Sequence, residues 1–260
     1  MNAPVLVPFY GAIRDLDNEA LLACWANAPA LDDPRAGLVS GAEAFTRWVQ
    51  TTRGWLDSTG ASAHSVNLIV TAGRTVEEVS LDLTSDGQDI ELPVAIVTDR
   101  DADQRVIAIR VYHSLWSLTG GHEVRSPLLQ DDPGLEAADV VGRYQRALAA
   151  GDLDGVLDAY EEDATVREPA GAPYVYRGTE ALRRIYSLQF ADGGGIHLRR
   201  CTVTDDGISC AVEYTCEQWG STSIPPQAGV AVYQRGASGR LAFGRIYDDV
   251  APPAASDSSS

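Results

Sequence analysis

Most residues able to do chemistry in this chain are acids and phenols. Glu168 stands directly before Pro169, and Asp248-Asp249 closes the last strand-like run. A carboxylate at the mouth of an apolar pocket has its charged form disfavoured. Its pKa then climbs toward neutral and it becomes a working base. A second carboxylate beside it would split the pair into one acid and one base. Successive strand residues point to opposite faces, so at most one of Asp248 and Asp249 can enter such a pocket. Tyr144, on an amphipathic run, offers a phenol that can donate to an oxyanion or a carbonyl. All 20 basic residues are Arg, which removes lysine Schiff bases and the lysine of a P-loop. Cys24, Cys201, Cys210 and Cys216 form no C-x-x-C, and His64, His113, His122 and His197 form no paired spacing. Buried thiols, no metal and no cofactor are therefore expected.

The net charge of −17 speaks against nucleic acid, which needs clustered basic residues, and against an anionic membrane surface. No stretch approaches the roughly 18 apolar residues of a spanning helix, and the N-terminus has no basic n-region. A cytoplasmic protein is the expectation.

The elements that must position these residues come twice. DNEALLACWANAPALDDP (17–34) and DLDGVLDAYEEDATVREP (152–169) align at an offset of 135 (152 − 17). Asp17 meets Asp152, Trp25 meets Tyr160 and Asp33-Pro34 meets Glu168-Pro169. Arg110-Val111-Tyr112 meets Arg245-Ile246-Tyr247 at the same offset. The reading is a tandem duplication. Residues 1–126 form the first, diverged unit, 127–137 a linker rich in Pro, Gly and acid, 138–253 the second unit, and 254–260 a disordered tail. Each unit reads as helices first and strands after. Helices are expected near 4–14, 17–27 and 42–58, then strands near 64–71, 74–84, 91–98 and 105–115. In the second unit a short strand, Ala164 to Arg167, precedes a helix from Glu180 to Leu188 and four strands. That order predicts an α+β fold: two tandem cone-shaped units, each three helices packed in a strongly curved, mostly antiparallel sheet. The pocket lies between helices and sheet. Glu77, Glu78, Asp82 and Glu213 are expected to face solvent from their strands.

RYQRALAAGDLDGVLDAYEEDATVREP (143–169) closely resembles the opening of ketosteroid isomerase, and more widely the SnoaL-like, nuclear-transport-factor-2-like superfamily. The resemblance covers about 110 residues of the second half and reaches the first half through the repeat. It implies that Tyr144 stabilises a dienolate oxygen, that Glu168 shuttles the proton, and that Tyr186 supports Tyr144. By the same alignment Asp248 and His113 face their pockets. One departure is plain: the strand Ala228–Val232 carries no acid where the isomerases hold a second oxyanion donor, and one such missing donor costs roughly 10²–10³ in rate in other enzymes. The first half keeps Asp33, to which His113 would be a base partner. Phe9 and Val49 replace the phenols, and Tyr10 is expected to point elsewhere.

The leading expectation is a cofactor-independent enzyme moving protons on an apolar, steroid- or polyketide-like carbonyl compound, as an isomerase or cyclase of secondary metabolism. One alternative is a polyether-type epoxide hydrolase/cyclase, for which Asp192 is the second acid on offer. The other is a non-catalytic binding or scaffold protein. The expected partner is an apolar small molecule, with the two units packed as an intramolecular pseudo-dimer and the whole a monomer or homodimer.

Overall fold

Local chemistry starts the same helices in both halves. Asp17 accepts from the Ala20 amide at 2.8 Å and Asp152 from the Gly155 amide at 3.0 Å, each capping the helix that follows. Gly151, at φ 67°, closes the helix before it. In the computed structural model, which describes residues 6–171 and 174–249, the first unit opens with α1 (Phe9–Asp15) and α2 (Asn18–Ala23). It continues through β1 (Ala30–Asp33), β2 (Gly37–Ser40), α3 (Ala42–Ser58), β3 (Ser62–Val70), β4 (Arg74–Ser85), β5 (Gln88–Arg100) and β6 (Val106–Tyr112), and ends in the single turn α4 (Trp116–Thr119). The second has α5 (Asp139–Ala150), α6 (Leu153–Ala159), β7 (Tyr160–Arg167), β8 (Val175–Arg177) and α7 (Gly178–Gln189). Four long strands follow: β9 (Ile196–Asp205), β10 (Ser209–Trp219), β11 (Thr222–Arg235) and β12 (Leu241–Tyr247).

The strand orders are β2-β1-β6-β5-β4-β3 and β8-β7-β12-β11-β10-β9. Neighbours run antiparallel except β1 with β6 and β7 with β12, which are parallel. The molecule is α+β with two tandem units. The β1–β2 pair and β8 add to the four-strand meander read from the sequence. At three or four residues they are too short to show periodicity. Helix α1 begins at Phe9 rather than residue 4, because Pro8 sits at its N-cap in extended geometry. Residues 120–138, which include the expected linker, contain neither helix nor strand. The expected end of the second unit at 253 and the tail 254–260 lie outside the described residues.

Each unit packs its helices on one face of its sheet. The other faces meet each other. Ile69, Val76, Ala95 and Val97 form a third core with Ala211, Val230 and Val232. Strand β10 is consequently buried without a break from Ser209 to Cys216, as strands covered on both sides are.

Within this shared core Glu78 and Glu213 are 0 % and 2 % exposed, which overturns the solvent-facing expectation for both. Arg110 donates to Glu213 through Nε (2.5 Å) and Nη2 (3.0 Å), with the Tyr112 hydroxyl at 2.8 Å and the Thr202 hydroxyl at 2.6 Å. Arg245 donates to Glu78 through Nε and Nη2, both at 2.7 Å, with Tyr247 at 2.6 Å and Asn67 at 2.8 Å. Every member of one cluster lies 135 positions from its counterpart (213 − 78 = 135). Each unit thus supplies the acid to one cluster and the Arg–Tyr clamp to the other. Glu77 is also buried, accepting from the Phe9 amide at the start of α1 at 2.8 Å. Asp82 stays exposed, as expected.

Candidate active site in the C-terminal unit

Helix α5 buries Val140, Tyr144 and Leu148, one helical turn apart, so Tyr144 points inward. Helix α7 delivers Tyr186 and Gln189 from one face in the same way. Glu168 sits in the β7–β8 connection, where its amide donates to the Tyr174 carbonyl at 3.0 Å and its carbonyl accepts from the Gly171 amide at 3.0 Å. Asp248 follows the last residue of β12 directly.

These groups line one chamber, together with Tyr214, Trp219 and Tyr233. The Tyr144 and Tyr186 hydroxyls are 2.9 Å apart, and Tyr160 reaches Tyr186 at 3.3 Å. Gln189 Nε2 donates to Glu168 Oε1 at 3.3 Å. The Tyr214 hydroxyl donates to Asp248 Oδ2 at 2.6 Å. Burial pushes the Glu168 carboxyl up to about 7, and the nearby charge of Asp248 adds to the shift. Burial likewise raises Tyr144 and Tyr186 well above the usual phenol range, so both are neutral donors. Gln189 Oε1, Trp219 Nε1 and the Tyr233 hydroxyl are buried without a hydrogen-bond partner among the described residues, and all three side chains line the chamber.

The chamber is small. Its volume is about 50 Å³, room for one or two waters at about 30 Å³ each. The open pocket expected from the sequence is largely filled by its own side chains. Tyr214 does much of the filling, its ring lying against Gly229, the residue directly opposite on β11. Tyr214, Gln189 and Trp219 were not singled out in the sequence, and Tyr160 was read there only as a position of the repeat. For Tyr214 the available signal is a glycine facing a tyrosine across an antiparallel pair.

Asp249 turns the other way, as strand alternation requires. It accepts from the Ser114 hydroxyl at 2.5 Å and the Glu123 amide at 2.9 Å, with His122 Nδ1 at 3.0 Å. Both acids are buried, not a solvated strand end. Asp192 is exposed on the turn after α7 and is not among the residues that line the chamber.

The first unit differs. Phe9 packs against Trp48 and Trp48 stacks on Phe45, at centroid distances of 6.0 and 5.8 Å. Aromatic core thus stands where the second unit has its tyrosines. Asp33 accepts from the Arg35 and Ala36 amides at 2.8 and 3.0 Å. His113 bonds the Ser114 carbonyl instead of Asp33, so the expected base pair is not formed as a hydrogen bond. Tyr10 is buried and raised by burial and by the charges of Asp33 and Glu77, so it turns inward rather than elsewhere. Among the described residues no three His, Cys, Asp or Glu side chains gather as metal ligands, and no helix is long and apolar enough to cross a membrane.

The SnoaL-like domain family matches residues 141–244. Solved structures similar to this chain include a candidate polyketide cyclase from Sinorhizobium meliloti, at 20 % identity over 42 % of this chain and 94 % of that one, with a TM-score of 0.36. The epoxide hydrolase/cyclase-like enzyme SalBIII, of pyran ring formation in salinomycin, is 22 % identical over 42 % of this chain and 86 % of its own, with a TM-score of 0.36. An NTF2-like protein of unknown function from Cytophaga hutchinsonii is 14 % identical over 41 % and 91 %, with a TM-score of 0.35.

Proposed function

From a second unit whose residues 141–244 match the SnoaL-like domain, we propose a cofactor-independent acid–base catalyst that moves a proton on a small apolar carbonyl compound, as an isomerase or a cyclase. One observation carries this reading. An acid brought to about 7 shares a desolvated chamber with a pair of neutral phenols. Glu168 takes a proton from the carbon beside the carbonyl, and the resulting negative charge grows on the carbonyl oxygen. The Tyr144 hydroxyl donates to that oxygen, held at its post by Tyr186. A lost donor of this kind costs roughly 10²–10³ in rate. Asp248 acts through charge, holding the Glu168 proton in the working range. Admitting a substrate requires the chamber wall, which includes the half-buried Trp219 side chain at the β10–β11 turn, to shift.

The test needs no knowledge of the natural substrate. Exchange of the α-protons of cyclopentanone in D₂O is followed by NMR. The protein is expected to speed exchange over buffer, and Glu168→Gln to remove at least 99 % of that gain. Equal exchange by both proteins overturns the reading. The chamber volume of about 50 Å³ favours a second reading, a unit that binds or supports without turnover. That reading predicts no exchange above buffer from either protein.

A further inference from the structure

Asp248 also reaches a second opening. A cavity of about 220 Å³ lies between the two units, and its wall contains Tyr112, His113, Glu123, Arg125, Asp248 and Asp249. It would hold about seven waters at about 30 Å³ each. His113 and Asp248 hold equivalent positions in the two units (248 − 113 = 135), and here they meet on one wall.

Among the described residues, most polar groups of this wall are acceptors. His113 is 4 % exposed, and its Nδ1 lies 3.2 Å from the Ser114 carbonyl oxygen. A carbonyl has no proton to give, so Nδ1 carries the ring hydrogen. Burial lowers the His113 pKa even though Asp33 opposes it, so the ring is neutral near pH 7. Its Nε2 is then a bare lone pair, and no hydrogen bond among the described residues uses it. Asp248 and Asp249 add carboxylates, and Glu123 a third at the exposed rim. Arg125, the cation on this wall, is tied to Asp32 at 2.6 Å and to the Val111 carbonyl. Tyr112 gives its hydroxyl proton to Glu213. Leu115 and Ala228 supply apolar surface between these groups.

We propose that this inter-unit cavity binds a small protonated amine with an apolar body, its ammonium shared between the Asp248 carboxylate and His113 Nε2. An ammonium brings three donors to a wall that offers lone pairs and negative charge. A neutral alcohol brings one donor, and a carboxylate ligand meets repulsion. The site shares Asp248 with the Glu168 chamber but takes its ligand on the opposite, inter-unit side.

Binding of benzylamine, benzyl alcohol and benzoate to the full chain is measured at pH 7.5 by calorimetry and by ligand-observed NMR. Benzylamine is expected to bind saturably, benzyl alcohol at least tenfold more weakly, and benzoate without saturation. His113→Phe and Asp248→Asn each weaken benzylamine at least tenfold. Glu168→Gln, which removes only a neighbouring charge, changes its affinity less than about threefold, well short of the effect of Asp248→Asn. In the unaltered protein the ¹⁵N resonance of His113 Nε2 moves on benzylamine addition, a readout that does not depend on any variant folding. The proposal is overturned by equal affinity for amine and alcohol, by amine binding indifferent to His113 and Asp248, or by a stationary Nε2 resonance.

Discussion

Glu168 sits where the protein opposes its charge, and that opposition has a sign that can be measured. Its folded pKa, about 7, lies above the ordinary carboxylate value of 4.5. The contribution of its protonated form is fully present below pH 4.5 and is lost as the pH rises through 7. Above pH 7 the fold carries a desolvated carboxylate at a cost on the order of 2 kcal/mol, allowing for its partial contact with solvent. Glutamine keeps the shape and the acceptor for Gln189 without the charge. Glu168→Gln is therefore expected to match the unaltered protein in stability at about pH 4. At pH 8.5 it should melt about 5 °C higher, as read by thermal unfolding at the two pH values. A constant difference across that range would mean that the carboxylate is solvated. The same substitution is expected to abolish proton exchange, so the residue would trade stability for chemistry.

The sequence was legible at element scale wherever an element was long enough to show its period. Helices α3, α5 and α7 and the eight long strands announce themselves through spacing. The β1–β2 pair, β8 and α4 do not, because three or four residues carry no period and their pairing is decided by tertiary contact. The site was legible in the same uneven way. Glu168 and Tyr144 stood out through a motif, whereas Tyr214 became visible only through strand register. Tyr214 opposes Gly229 in the second unit, and Val79 opposes Val94 at the equivalent place in the first. The two pairs fill similar space, one as large plus nothing and the other as medium plus medium. A Cβ on Gly229 would come within 2.6 Å of the Tyr214 ring. Gly229→Val alone is thus expected to cost upwards of about 3 kcal/mol by overpacking. Adding Tyr214→Val recreates the pair of the first unit and should recover at least half of that loss, a coupling that a double-mutant cycle in urea would read. Additive losses would show that the ring and the glycine do not share one space.

Across the whole molecule, the sheets are held by groups that strand alternation assigns to water. Glu78 and Glu213 looked solvent-facing because the sequence does not announce that the outer face of each sheet is covered by the other. Once covered, each acid needs a full set of donors, and each obtains its arginine and tyrosine from the opposite unit. Removing one partner of a buried pair costs about 3–5 kcal/mol, since the charge left behind is desolvated and unpaired. The two clusters are not equal in this respect. Arg110 keeps a second carboxylate, Asp99, at 2.7 Å, whereas Arg245 keeps the neutral Gln234, at 3.4 Å from Nη1. Glu78→Ala is therefore expected to destabilise the protein by about 4 kcal/mol and Glu213→Ala by about 1–2 kcal/mol less. Because the acid and its clamp lie in different units, both losses should appear in urea as a shift of one shared transition. Two separate transitions, with only one moving, would mean that the clusters do not couple the sheets. Equal losses would mean that Asp99 gives Arg110 no compensation.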